Sequence, residues 1–93
     1  MIDGTYFAML PAPDGRRAHT FTLHEHSGTL TGTVTNTRGA EPIFNGSCEG
    51  SHLSFQVHGA AGDMRFDGTA DEGGLDLTWT VGDEAFHIRA DRA

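Results

Sequence analysis

The stretch FDGTADEGGLDLTWT, residues 66–80, repeats an earlier one, FNGSCEGSHLSFQVH, residues 44–58. The copies share a phenylalanine, a glycine two residues later (Gly46 and Gly68), an acidic residue in the turn and a leucine opening the next apolar run. A third, partial copy, LTGTV, begins at Leu30 and places Gly32 at the same point. Each copy is a strand followed by a turn, and the longer two continue into a second strand, so the repeat predicts successive hairpins.

Apolar and polar residues alternate along the chain on both sides of this repeat. In residues 18–26, for example, Phe21 and Leu23 share one face of an extended strand while Thr20 and Thr22 share the other, which is the period of a half-buried strand. Short connections rich in Gly, Asp and Ser separate the alternating runs. Including an opening strand around residues 3–10, the pattern predicts eight strands that pair antiparallel in sequence order.

Such a meander would leave two unpaired edges if it stayed open, and closure into a barrel removes them. The predicted fold is therefore all-β, an eight-stranded antiparallel up-and-down meander closed into a small β-barrel, with residues 1–93 forming one domain. Gly32, Gly46 and Gly68 are expected to face inward, at points where the strands coil sharply and a side chain would crowd the interior. The same alternation places Phe44 on the inward face with Gly46.

The segments GTLTGTV, FNGSCEGSHLSFQV, FDGTADEGGLDLTWTV and FHIRADR together resemble small bacterial β-barrel modules of the avidin/lipocalin-like, or calycin-like, type. The resemblance covers most of the chain and is carried by glycine and turn positions. It implies a barrel able to hold a small ligand. The tryptophan-rich pattern of the avidin biotin site is not matched, because Trp79 is the single tryptophan.

Composition narrows the range of partners. The chain has 93 residues and a net charge of −7, with thirteen acidic residues against six arginines and no lysine, so its field repels phosphates and anionic lipid. Neither nucleic-acid nor membrane binding is expected. The N-terminal segment has no basic region or long apolar run, which predicts no signal peptide and a cytoplasmic location. The single Cys48 predicts a small buried apolar group rather than a nucleophile.

The histidines form the most conspicuous chemical pattern. His24 and His26 lie on one strand face at a spacing that suits metal chelation, but on the face opposite Phe21 and Leu23, so solvated side chains are the favoured interpretation. His52 and His58 lie on a polar face as well and could meet the first pair only across a dimer interface. The sequence therefore predicts no metal site and no cofactor.

The connections after the first, third, fifth and seventh strands share one end of a meander. That end carries PAPDGRR (residues 11–17) and TRGAEP (residues 37–42) and is the predicted mouth of the barrel. Inward positions near it form an apolar cup with one aromatic anchor, and loop arginines could hold an anionic group. The predicted ligand-binding residues are Val34, Val57, Met64, Trp79, Phe86, Arg17 and Arg38. In the alternative interpretation, these apolar side chains simply fill a narrow barrel.

Two functions are compatible with this pattern. The first is a binding module that holds an apolar or amphipathic small molecule at the mouth. The second is a cofactor-independent isomerase or cyclase, in which His19, oriented by Glu84, moves a proton.

A homodimer is also predicted, because a domain of this size has a marginal core. Two outward strand faces of low charge could serve as the contact. One is formed by Thr29, Thr31, Thr33 and Thr35, and the other by His52, Ser54, Gln56 and His58.

Overall fold

The computed structural model describes residues 2–12, 15–59 and 62–93. The eight strands are β1 (Gly4–Ala12), β2 (Gly15–His26), β3 (Thr29–Asn36), β4 (Gly39–Glu49), β5 (His52–Gly59), β6 (Gly62–Asp71), β7 (Gly74–Val81) and β8 (Glu84–Arg92). Each strand pairs antiparallel with the next, and β1 also pairs with β8, so the sheet closes into a barrel. The predicted fold class is confirmed.

The first hairpin is longer than the sequence predicted. Its ladder continues to the pair Ala12 and Gly15, so Arg16 and Arg17, predicted in a mouth loop, lie in β2 instead. Arg38 does lie in a turn, the one between β3 and β4. Pro13 and Asp14 of the predicted mouth segment lie outside the described residues.

The repeated glycines are required because neighbouring strands approach closely. A Cβ on Gly32, Gly46 or Gly68 would overlap a backbone carbonyl oxygen of the adjacent strand. The prediction that these positions exclude a side chain is confirmed, although the obstacle is the neighbouring backbone rather than the lumen. Gly74, which the repeat did not single out, is confined in the same way by Ala90.

One residue of the repeat faces the opposite way from its predicted direction. Asn45 has a positive φ of 51°, and the β4–β5 register shifts by one residue between Phe44 and Ser47, which is a β-bulge. Because the bulge changes the alternation, Ile43 is buried while Phe44 stacks on His58, with ring centroids 4.3 Å apart. The prediction that Phe44 points inward is therefore wrong.

Aromatic side chains fill the middle of the barrel. Phe21, Phe55 and Phe66 are fully buried, and the centroid of the Phe66 ring lies 5.4 Å from that of Phe21 and 5.0 Å from that of Phe55. Trp79 lies above them towards the mouth, parallel to Phe66 at 6.2 Å. The barrel is thus packed at its centre.

The end opposite the mouth is closed. Ile2 is buried there, and its carbonyl oxygen accepts a hydrogen bond from the Tyr6 hydroxyl. The Arg92 guanidinium lies 4.8 Å from the centroid of the Tyr6 ring and donates to the Asp3 carbonyl oxygen at 3.0 Å. These contacts fill the barrel interior at this end, and a surface cavity of about 540 Å³ lies beside them, lined by residues that include Ile2, Glu25 and Arg92.

Candidate ligand-binding site

A cavity of about 540 Å³ opens at the predicted mouth, a volume typical of small-molecule sites. It lies where β1 meets β2, β3 meets β4 and β5 meets β6. Six of the seven predicted ligand-binding residues line it, together with the candidate base His19: they are Arg17, Val34, Arg38, Val57, Met64 and Trp79. His58 lines it as well. The predicted residues come from β2, β3, β5, β6, β7 and the β3–β4 turn, and strand alternation brings those that lie in strands to one interior surface.

The cavity has an apolar floor. Val34, Val57 and Trp79 are buried and Met64 is half-buried. The indole N–H of Trp79 is buried and has no hydrogen-bond partner among the described residues. Buried donors are almost always paired, and an unpaired one costs about 1–3 kcal/mol. Since this nitrogen is closed to solvent, a ligand in the cavity would reach it only after the indole ring turned.

The rim of the cavity is more basic than the chain as a whole. Its described lining contains two arginines, Arg17 and Arg38, against one carboxylate, Glu41, in a chain of net charge −7. Arg38 lies in the β3–β4 turn, and its backbone N–H donates a 2.8 Å hydrogen bond to the Asn36 side-chain oxygen. This bond holds the turn in place. The rim therefore favours an anionic or electron-rich group over a cation.

His19 lies in the wall and is 9% exposed. Its Nδ1 is 3.1 Å from the Arg17 carbonyl oxygen, and its Nε2 is 3.4 Å from the Asn36 side-chain nitrogen. Both contacts fit one neutral tautomer, in which Nδ1–H donates to the carbonyl and Nε2 accepts from the amide. Burial lowers the pKa of His19. The hydrogen bond to the Arg17 carbonyl oxygen raises the pKa and the charge of Arg17 lowers it, and the net shift is downward. The ring is thus held neutral.

This lowered pKa predicts a pH dependence of stability. As the pH falls below about 6.5, the unfolded chain binds a proton at His19 before the folded chain does. Protonation therefore favours unfolding, and the free energy of unfolding should decrease with falling pH more steeply in the wild type than in His19→Gln. Urea denaturation at a series of pH values measures both profiles. Parallel profiles would contradict the assignment of a neutral buried ring.

Two other predicted residues lie away from the cavity. Glu84 is exposed at the start of β8, opposite Val81, and no hydrogen bond or ion pair within residues 2–12, 15–59 and 62–93 joins it to His19. Strand parity placed both side chains inward, but the imidazole turns towards Asn36 on β3 rather than towards β8. Phe86 packs against Trp79 with ring centroids 5.2 Å apart and lines a separate cleft between β1 and β8.

Asn36 is a site residue that the sequence analysis missed. Its side chain contacts both the His19 ring and the backbone of the β3–β4 turn. Its position was available from the alternation, because it lies two residues after the inward Val34 and immediately before a turn.

The remaining candidates are a cysteine with a raised pKa and histidines that contact carboxylates. Cys48 is half-buried, and burial together with Glu25 raises the pKa of its thiol to about 11, so the thiol stays protonated. His24 contacts the Asp3 carboxylate at 2.7 Å, and His58 contacts Asp63 at 2.6 Å. Within the described part of the chain, no group of three or more His, Cys, Asp or Glu side chains could hold a metal ion.

Comparison with protein-family models, with curated proteins and with solved structures found no match to this chain. Among the described residues, no helix is long and apolar enough to cross a membrane. What the structure establishes is an architecture, a closed eight-stranded antiparallel barrel, with a cavity at its mouth.

Proposed function

We propose that the protein is a small-molecule binding module whose mouth cavity takes an amphipathic ligand bearing an anionic or hydrogen-bond-accepting group. The observation that carries this proposal is a cavity of about 540 Å³ that combines the apolar side chains Val34, Val57 and Trp79 with Arg17 and Arg38. The basic rim supports the same ligand polarity. A barrel of the avidin/lipocalin-like type would use its mouth in the same way, and this analogy rests on architecture alone.

The cavity suggests how such a ligand would be held. Its apolar part would lie against Val34, Val57 and Trp79, and its anionic group would lie near Arg17 and Arg38. Burying about 200 Å² of apolar ligand surface contributes about 5 kcal/mol at 25 cal/mol per Å², before the cost of association is subtracted. A free energy of about 5 kcal/mol corresponds to a dissociation constant of roughly 0.2 mM, so we expect binding no tighter than the sub-millimolar range from the apolar contact alone.

The fluorescence of Trp79 provides the test, since it is the single tryptophan. Titration with decanoate should give a saturable change in emission, and decanol, which has the same chain length but no charge, should bind more weakly. In Arg38→Gln, decanoate affinity should fall about tenfold because a charge-assisted contact is lost, while decanol affinity should hardly change.

Arg65→Gln is the matched control, because it removes the same charge from an exposed arginine that bonds Asp67 on β6 and does not line the cavity. An equal loss of decanoate affinity in both variants would point to the overall field rather than to the rim. The absence of saturation with either probe would reject a pocket for ligands of this kind.

The alternative activity, a cofactor-independent isomerase or cyclase, would need a general base at the cavity. His19 lines the cavity, but its two ring nitrogens contact Arg17 and Asn36 rather than a carboxylate. Glu84 is not brought to it. His58, which also lines the cavity, does contact the Asp63 carboxylate, but both side chains are more than half exposed, so this pair is open to solvent and we favour the binding function.

A further inference from the structure

The barrel wall is incompletely paired along one line. Ladder pairing between β1 and β8 is limited to two positions, Tyr6 with Arg92 and Phe7 with Asp91. The ladders of β1 with β2 and of β7 with β8 both continue to the mouth. Between residues 8–12 of β1 and 84–90 of β8 the strands therefore form an open seam, and a cleft of about 650 Å³ lies along it.

Two backbone hydrogen bonds show which groups of β8 face this seam. The Ala93 N–H donates to the Thr5 carbonyl oxygen across the paired part of the seam, at 2.9 Å, whereas the Arg92 N–H donates to Gly73 on the β7 side, also at 2.9 Å. Backbone groups alternate in direction along a strand. The N–H and C=O groups of the odd-numbered residues Ala85, His87 and Arg89 therefore point into the seam.

The two edges of the seam are protected to different degrees. On β1, Pro11 has no N–H to offer, and the Met9 carbonyl oxygen accepts a 3.5 Å hydrogen bond from the Arg16 guanidinium. Proline and covering side chains are common protections of an edge strand. On β8, the Arg89 side chain does not cover the strand edge in this way. Its guanidinium donates two hydrogen bonds to the Asp71 carboxylate, at 2.8 and 2.9 Å, on the side away from the seam. The edge of β8 is thus the one open to a further strand.

Apolar surface is exposed beside the same seam. Phe7 and Met9, on the outer face of β1, are 50% and 49% exposed and line the cleft. They are the exposed large hydrophobic side chains of the described part of the chain. An accessible strand edge and an apolar flank therefore coincide, a combination that favours association through strand addition.

We propose that the seam is the docking site for a second copy of this chain, with β8 of each copy pairing antiparallel about a two-fold axis near His87. An edge that alternates donors and acceptors is complementary to itself in this arrangement. With the axis at His87, Arg89 faces Ala85 of the partner subunit and Glu84 faces Ala90 of the partner subunit, so no acidic pair and no arginine pair is directly opposed within residues 84–90. The exposed Phe7 and Met9 of each copy border the joined strands.

Charge favours a second copy at this face over the rest of the surface. The charged residues lining the cleft are Arg16, Arg89 and Asp91, which carry no excess of acid in a chain of net charge −7. Two acidic molecules can therefore approach here without the repulsion they meet elsewhere. This face differs from the threonine-rich and histidine-containing faces predicted from the sequence.

Sedimentation velocity from micromolar to millimolar concentration tests the proposal with a matched pair of variants. Met9→Glu and Thr31→Glu make the same change in net charge at exposed positions, the first beside the seam and the second on the threonine-rich face. We expect Met9→Glu to raise the dimer dissociation constant about tenfold or more and Thr31→Glu to leave it within about twofold. A wild-type monomer throughout, or dissociation by Thr31→Glu alone, overturns the proposal.

Amide hydrogen exchange of the wild type supplies a readout independent of any variant. The amides of Ala85, His87 and Arg89 should exchange more slowly as the concentration rises, while the even-numbered amides of β8, which face β7, should be protected at every concentration. Concentration-independent protection of the odd-numbered amides would also overturn the proposal, because it would mean that the chain's own β1 closes the seam.

Discussion

Replacing Gly68 with alanine should reduce the free energy of unfolding by about 3 kcal/mol or more, the upper part of the range for overpacking. The added Cβ would overlap the Asp76 carbonyl oxygen. It would also lie 2.8 Å from the Asp76 carbonyl carbon and 2.9 Å from Leu77 Cα. These are backbone atoms of β7 and cannot rotate away, so β6 and β7 must separate where Gly68 pairs with Leu77. A domain stabilised by about 5–15 kcal/mol loses a large part of its margin in this way.

Thr69→Ala is the matched control, since it alters the adjacent residue, whose side chain points outward opposite Asp76. Its cost should stay near 1 kcal/mol, the span of strand propensities. Urea denaturation at an unchanged slope compares the two midpoints directly. Similar midpoints would show that the β6–β7 contact can relax, and the close-approach explanation of the repeated glycines would then fail.

The local features of the fold could be predicted because their signals are local. Alternation reports which face of each strand is buried, and turn residues report where each strand ends, so the strand number, the antiparallel order and the inward faces follow from short windows of sequence. Gly32 and Gly68 were identifiable for the same reason, as gaps in an apolar face. The apolar cavity wall, including Val57 and Trp79, follows from two predictions together. Side chains alternate between the two faces of each strand, and the connections after the odd-numbered strands lie at one end of the barrel.

Features that depend on distant parts of the chain could not be predicted in this way. The seam joins the first strand to the last, and no local pattern reports how far their ladder extends, although Pro11 is an edge signal. The alternation of side chains likewise predicted that His19 and Glu84 point into the barrel, but it does not determine where around the barrel each side chain lies. The imidazole of His19 is directed by Asn36 and by the Arg17 carbonyl oxygen, contacts that alternation does not encode.

The β4 bulge shows how one residue can reverse a local prediction. Ile43 and Phe44 are adjacent and both apolar, so either could begin the inward face. The segment after Phe44 keeps the alternation through Gly46 and Cys48, which favoured Phe44. The positive φ of Asn45 inserts the extra residue, and the Asn-Gly pair at 45–46 is the sequence signal for such an irregularity. The inward residue before the bulge is consequently Ile43.

This bulge leads to the second large expected effect, because Phe66 and Phe44 occupy equivalent positions in the repeat but opposite faces of the barrel. Phe66 is fully buried, and the centroid of its ring lies 5.4 Å from that of Phe21, 5.0 Å from that of Phe55 and 6.2 Å from that of Trp79. Phe66→Ala should therefore cost about 3–5 kcal/mol, the usual loss for a buried phenylalanine. It should also shift the emission of Trp79, which packs on the same ring.

Phe44→Ala removes the same side chain from the outer surface, where the ring stacks on His58. A partly exposed ring pair contributes about 0.5–1.5 kcal/mol, so the loss should be near 1 kcal/mol and Trp79 emission should stay unchanged. Denaturation midpoints and tryptophan spectra of the two variants, measured side by side, check both expectations. Equal losses would mean that Phe44 lies inside the barrel after all, in which case the bulge at Asn45 would be absent and the repeat would run through β4 without a shift in register.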